Sequence, residues 1–224
     1  MLSVSLLTLV RQQVLTCVFI FHFSFFTFHF SLFIFHFSFF TYTMSVILET
    51  VRLVLRHLTI ADAPFMLRLV NEPSWIQYIG DRKVYSLLDA ENYLLNGSIK
   101  SYQENGFGFF AVLLKGSDMP IGTCGFAKRP FLEHPDFGFA FLPEYTGVGY
   151  ATEIAVATLA YAEEVLKLET IDAITTKDNM RSIKLLSKTG FKFDKYIQVD
   201  DDQLLLFTAS LHFVHKDEDV DDSK

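Results

Sequence analysis

Gly147 and Gly149 sit in the stretch Pro143-Glu144-Tyr145-Thr146-Gly147-Val148-Gly149-Tyr150-Ala151-Thr152-Glu153, whose residue types and spacing suit the binding of an anion. Residues 137–142, just before it, form an apolar run of strand length. After it, Ala151, Ile154, Ala155, Leu159, Ala162 and Leu166 recur along one helix face, with Thr158 the single polar interruption. A strand, a glycine-bearing turn and a helix in that order aim free backbone N–H groups and the positive end of a helix dipole at one place. A phosphate is favoured there. Two residues without a Cβ also let a ligand approach the backbone closely. A plain helix start has the same sequence appearance, so the rest of the chain must decide between the two readings.

Residues 171–176 read as a further strand, followed by Asn179-Met180-Arg181-Ser182-Ile183-Lys184-Leu185-Leu186-Ser187-Lys188-Thr189-Gly190-Phe191. This block resembles the Asn-x-x-Ser/Ala…Gly-Phe signature of the GNAT superfamily of acyl-CoA-dependent N-acyltransferases. The earlier turn resembles that family's pyrophosphate loop, Gln/Arg-x-x-Gly-x-Gly/Ala, with Thr146, Gly149 and Ala151 at the marked places. Thr146 departs from the usual Gln or Arg. Leu48-Glu49-Thr50-Val51-Arg52-Leu53-Val54-Leu55-Arg56 resembles the opening of the branch that contains ribosomal-protein N-terminal acetyltransferases. The three motifs are correctly ordered and span residues 47–210.

The resemblance implies an α/β fold with a mixed, splayed β-sheet flanked by helices, and acetyl-CoA as co-substrate. The splay falls between the strands at 137–142 and 171–176. The pantetheine arm pairs there with residues matching Phe141, Leu142 and Pro143, because a splayed edge leaves polar backbone groups in need of partners. The pyrophosphate falls to the amides of Thr146, Gly147, Val148, Gly149, Tyr150 and Ala151, and Asn179 matches a cofactor-contacting Asn. For catalysis, the Phe141 N–H matches the donor that polarises the thioester carbonyl. Ser182 matches a proposed proton donor, since Leu186 stands where many relatives carry Tyr. Asp136 matches a carboxylate base, with Glu144, His134 and Glu133 as near alternatives. Trp75 and Tyr78, in the segment joining the first two helices, are placed to flank the acceptor amine. An α-amine, with a reference pKa of about 7.7–8.0, needs less help from a base than lysine at about 10.4.

The elements that must position these residues read in order from Met44. A strand at 52–58 leads to a helix capped by Thr59 and Asp62, broken at Asn71-Glu72-Pro73-Ser74. A second helix runs from Ser86 to about residue 104. Strands at 107–114 and 121–126 come next, then the motif strands and helices, and finally a hairpin of 191–199 and 204–211 turning through three aspartates. That turn reads as solvated rather than cation-binding. All 26 acidic residues lie after Met44 with 18 of the 19 Lys and Arg, so this part is one unit more negative than the whole chain's −7. Such a balance argues against nucleic acid and favours a cationic acceptor. Cys17 and Cys124 make no disulfide or metal framework. Cys124 reads as a core residue, no metal is expected, and a reducing, cytoplasmic setting fits.

Residues 1–43 are different in kind. Charge is absent from Gln12 to Ile47, and 12 of the 25 phenylalanines lie between Phe19 and Phe40. The nonapeptide at 19–27 recurs identically at 33–41. Its Phe-x-Phe alternation is a strand period, and a lone strand cannot satisfy its backbone in lipid. The segment reads as a low-complexity leader outside the folded domain, for which an untranslated tract ahead of Met44 is the first explanation. A membrane anchor or targeting segment is the alternative, and membrane association is expected only if it is retained. The expected organisation is therefore a leader at 1–43, an acyltransferase domain at 44–211, and an acidic, disordered tail at 212–224. The expected function is acetyl transfer to a primary amine, a protein N-terminus or a small molecule such as a polyamine, amino acid or antibiotic. A catalytically inactive CoA-binding module is the reading from another class.

Overall fold

The computed structural model describes residues 46–200 and 202–211. The expectations for the leader and for the tail from residue 212 lie outside those residues. The strands are β1 (Val46–Glu49), β2 (Leu53–His57), β3 (Phe109–Leu114), β4 (Pro120–Ala127), β5 (Asp136–Phe141), β6 (Thr170–Thr175), β7 (Lys192–Val199) and β8 (Asp202–Ser210). The helices are α1 (Ala63–Val70), α2 (Pro73–Tyr78), α3 (Leu87–Leu94), α4 (Lys100–Asn105), α5 (Tyr150–Glu164) and α6 (Met180–Lys188). The strands form one sheet in the order β1-β2-β3-β4-β5-β6-β8-β7. Neighbours are antiparallel except β5 and β6. A parallel pair needs a crossover, and α5 supplies it.

Alternation along β3 sends its side chains to two cores. Phe110 and Val112 join Leu53, Leu55, Phe126, Ile154, Leu159 and Ile171 under α5 and α6. Ala111 and Leu113 join Met66, Leu69, Trp75, Ala90 and Leu94 under α1 to α3. Thr158, the polar interruption in the α5 stripe, is fully buried and its hydroxyl accepts from the Cys124 thiol at 3.5 Å. Burial pushes the Cys124 thiol up to about 12, as befits an inert core residue.

Local chemistry fixes the helices that follow β2. Thr59 N–H donates to the Asp62 carboxylate at 2.8 Å, and buried Arg56 grips both oxygens of the same carboxylate at 2.8 Å each. That pair ties β2 to the entrance of α1. Three features depart from the sequence reading. Residues 71–74 do end α1, but Pro73 also opens α2, where its missing N–H has no helical partner to lose. The helix opened by Ser86 is interrupted at Gly97, whose φ of −100° and ψ of −106° are not helical, so α3 and α4 are separate. β1 was not foreseen; it pairs with β2 through Leu48 opposite Leu55. Its turn is pinned by Glu153 of α5, which accepts from the Thr50 hydroxyl at 2.6 Å and the Arg52 amide at 2.9 Å.

Candidate active site

β5 and β6 are bonded only at their starts, where Asp136 lies opposite Asp172. Asp172 N–H donates to the Pro135 carbonyl at 3.0 Å. A regular parallel ladder would next carry Ile174 N–H to the carbonyl of Phe137. It goes instead to Asp136 Oδ1, at 3.2 Å. A side chain thus replaces the next rung, and the strands part beyond it. On its other edge β5 stays paired with β4 through Phe141, and Leu142 N–H donates to the Ile121 carbonyl at 3.0 Å. Strand alternation therefore turns the N–H and C=O groups of Phe139 and Phe141 away from β4, toward the open side. Gly122, opposite Phe141, makes room for the phenylalanine ring, which a Cβ there would approach to 2.6 Å.

A cavity of about 720 Å³ occupies the opening, within the range of roughly 300–1,000 Å³ usual for small-molecule sites. At one end it is lined by Thr146, Gly147, Gly149, Ala151 and Asn179. Gly147 and Gly149 have φ of +81° and +89°, and Gly149 is the N-cap of α5. L side chains are strained in that conformation, so glycine is required by the turn itself. The Thr146 hydroxyl is committed within the turn, donating to the Pro143 carbonyl at 2.8 Å. Arg52 braces the turn from behind. Its Nε pairs with Glu153 at 2.6 Å, its Nη1 donates to the Val148 carbonyl at 3.1 Å, and its guanidinium lies 4.5 Å over the Tyr150 ring. Asn179 caps α6 by accepting from Ser182 N–H at 3.2 Å, and both residues line the cavity.

Four sequence candidates, Leu142, Pro143, Val148 and Tyr150, do not line the cavity. Leu142 is buried with the α1–α3 core, Pro143 opens a short 3-10 turn, and Val148 and Tyr150 face Arg52. Four cavity-lining cations were not singled out from sequence, Arg129 and, on α6, Arg181, Lys184 and Lys188, and neither was Tyr93. The three on α6 fall at i, i+3 and i+7, one face of the helix with buried Leu185 beside them at i+4, a period that was legible in the sequence. Arg129 lies between β4 and β5, and only the fold carries it to Asp136.

Asp136 is buried, and burial pushes its carboxyl up to about 6 despite the opposing pull of Arg129 and of Ile174 N–H. Arg129 Nε donates to Oδ2 at 2.5 Å, so both carboxylate oxygens are engaged. Of the alternative bases, Glu144, Glu133 and His134 lie outside the cavity wall. Glu144 is further held below the ordinary value by its own backbone N–H and by Arg68. At the far end the wall contains Glu72, Trp75, Tyr78, Ile79, Arg82 and Tyr93. Leu186, also on the wall, has no proton to give. Among the described residues, no group of three or more His, Cys, Asp or Glu could hold a metal. No described helix is long and apolar enough to cross a membrane.

Residues 52–192 match the family model described as an acetyltransferase (GNAT) domain. The uncharacterised N-acetyltransferase YoaA of Bacillus subtilis is 29% identical over 141 residues, covering 62% of this chain and 79% of its own length. An acetyltransferase from Agrobacterium tumefaciens has a similar fold, with a TM-score of 0.64 at 24% identity over 75% of this chain and 95% of that one. The ribosomal-protein-S5-alanine acetyltransferase from Vibrio fischeri aligns with a TM-score of 0.63 at 18% identity, over 74% of this chain and 96% of that one.

Proposed function

The chain belongs to the GNAT acetyltransferase family, and from that premise we propose that it transfers the acetyl group of acetyl-CoA to an α-amine, that of a protein N-terminus foremost. The observation that carries the reading is the open edge of β5 beside a glycine turn at a helix N-terminus. One offers unpaired backbone groups to an extended amide-bearing arm, and the other offers N–H groups to phosphates. Bound acetyl-CoA supplies an acetyl thioester. The acceptor nitrogen bonds to its carbonyl carbon as the C–S bond breaks; nitrogen gives up a proton and sulfur gains one.

In this reading the Phe141 N–H polarises the carbonyl, and Ser182, on the first turn of α6, donates to the departing sulfur. Asp136, ionised above about pH 6, receives the ammonium proton directly or through one water. A base with that affinity for protons is weak for a lysine but adequate for an α-amine, part of which is already neutral near pH 7. Leu142, Pro143 and the amides of 146–151 hold the cofactor, Asn179 orients it, and Trp75 and Tyr78 flank the acceptor. The likeness in fold to an enzyme that acetylates a ribosomal protein's alanine agrees with this choice of acceptor. Release of free thiol from acetyl-CoA, measured against a panel of peptides and small amines, tests the proposal. Peptide-dependent release is expected, and no release with any amine contradicts it.

A further inference from the structure

The acceptor end of the cavity has an uneven charge balance. Asp136 is matched by Arg129, whereas Glu72 shares Arg68, at 3.5 Å, with Glu144, which holds it more closely at 2.8 Å. Arg82, which is exposed at the same wall, forms no ion pair or hydrogen bond among the described residues. The Trp75 indole N–H is buried without an acceptor, and the Tyr93 hydroxyl has no hydrogen-bond partner among the described residues. Arg82 and Arg129 both act electrostatically on that phenol, and Tyr93 packs against the cluster that holds Trp75 on the same cavity wall, so the donors belong to one neighbourhood. The wall thus presents an unpaired cation and neutral donors without acceptors, against one carboxylate, Glu72, whose partner is shared.

Resting on the function proposed above, we infer that the acceptor carries an anionic oxygen near its amine, and that Arg82 is the specificity residue that reads it. Spare donors without acceptors are completed by carboxylate or carbonyl oxygens. A polyamine would instead bring its second positive charge toward Arg82 and leave the Trp75 and Tyr93 donors without acceptors. The domain as a whole is negative, but with a screening length of about 8 Å at physiological salt a group at the cavity mouth answers mainly to its neighbours. The chemistry, an α-amine and a carboxylate in one molecule, is shared by free amino acids and by peptide N-termini followed by Asp or Glu.

The test uses the full chain at saturating acetyl-CoA with four acceptors: free aspartate, a C-terminally amidated tripeptide with Asp second, the same amidated tripeptide with Asn second, and spermidine. The wild type is expected to prefer an acidic acceptor, and whether that is aspartate or the tripeptide identifies the source. Arg82→Gln should raise KM for that acceptor roughly ten- to hundredfold with kcat little changed, as for loss of a charge-assisted hydrogen bond. Arg82→Glu should shift preference toward spermidine. Acetyl-CoA affinity by calorimetry should match the wild type in both variants, which separates the effect from a damaged fold. Wild-type preference for spermidine, or an acceptor ranking unmoved by either substitution, overturns the inference while leaving acetyl transfer intact. Failure with every amine would defeat the underlying function as well.

Discussion

Asp136 stands at the start of β5 with both oxygens occupied, one completing the last rung to β6 and the other held by Arg129. A catalytic role must therefore be separated from a structural one by its pH signature. For a base whose folded-state pKa is about 6, kcat/KM should rise with pH through that value. Asp136→Asn keeps an oxygen for Ile174 N–H, so it should retain the fold, lose this limb and lower kcat by about 10²–10⁴-fold. Only the acceptor amine's own titration would then remain. Ser182→Ala should lower kcat with the limb intact. If both variants keep wild-type kcat from about pH 6 to 9, positioning alone carries the reaction. The stability linkage has a definite sign. Because the folded pKa is raised, the contribution is full below the ordinary Asp value and is lost as pH rises through about 6. Asp136→Asn should accordingly gain stability relative to the wild type between pH 4 and 7, as urea midpoints would report.

At the scale of elements, the turn before α5 and the clasp before α1 make different predictions. A Cβ at Gly147 meets no atom within 4 Å, whereas one at Gly149 comes 3.4 Å from Arg52, which could neutralise an acid placed there. With Gly147→Asn as its control, which carries the same backbone strain at a φ of +81° without the charge, Gly147→Asp is thus the cleaner probe. Its charge favours the helix N-terminus but repels a phosphate, so acetyl-CoA should bind roughly tenfold or more weakly in a folded protein. Calorimetry giving unchanged affinity would remove the phosphate role from the turn. In the clasp, Asp62→Ala strands the buried Arg56 charge, and a loss of about 3–5 kcal/mol is expected in urea unfolding. A change under about 1 kcal/mol would mean that water reaches the guanidinium. This clasp was half legible: Thr59 and Asp62 announced a helix start, but nothing local to the sequence connected Asp62 to Arg56. Likewise Pro73 was read as a breaker, because proline ends one helix with the same residue that begins the next.

For the whole molecule, the sequence carried most of the architecture because α5, α6 and the strands beside them obey simple periods. Ile154, Ala155, Thr158, Leu159 and Ala162 of the α5 stripe are buried as their spacing requires, and Ala151 packs half-buried against the same core. The edge strand β1 was missed since four residues with exposed ends carry little pattern. The site was legible where motif and backbone suffice, at Gly147, Gly149 and Asn179. It was not legible where distant segments meet, as with Arg129 on Asp136 or Arg82 near Tyr93, because such contacts exist only once the sheet is assembled. Family membership fixes the acyl donor, and the acceptor nitrogen is the claim that the geometry adds. One measurement addresses it directly: incubate the protein with acetyl-CoA near pH 7 and a peptide bearing both a free α-amine and an internal lysine, then locate the acetyl group by tandem mass spectrometry. Acetylation of the α-amine, with the lysine side chain untouched, is the predicted result. Acetyl on the lysine ε-nitrogen, or an unmodified peptide when a polyamine in the same mixture is acetylated, would contradict the account.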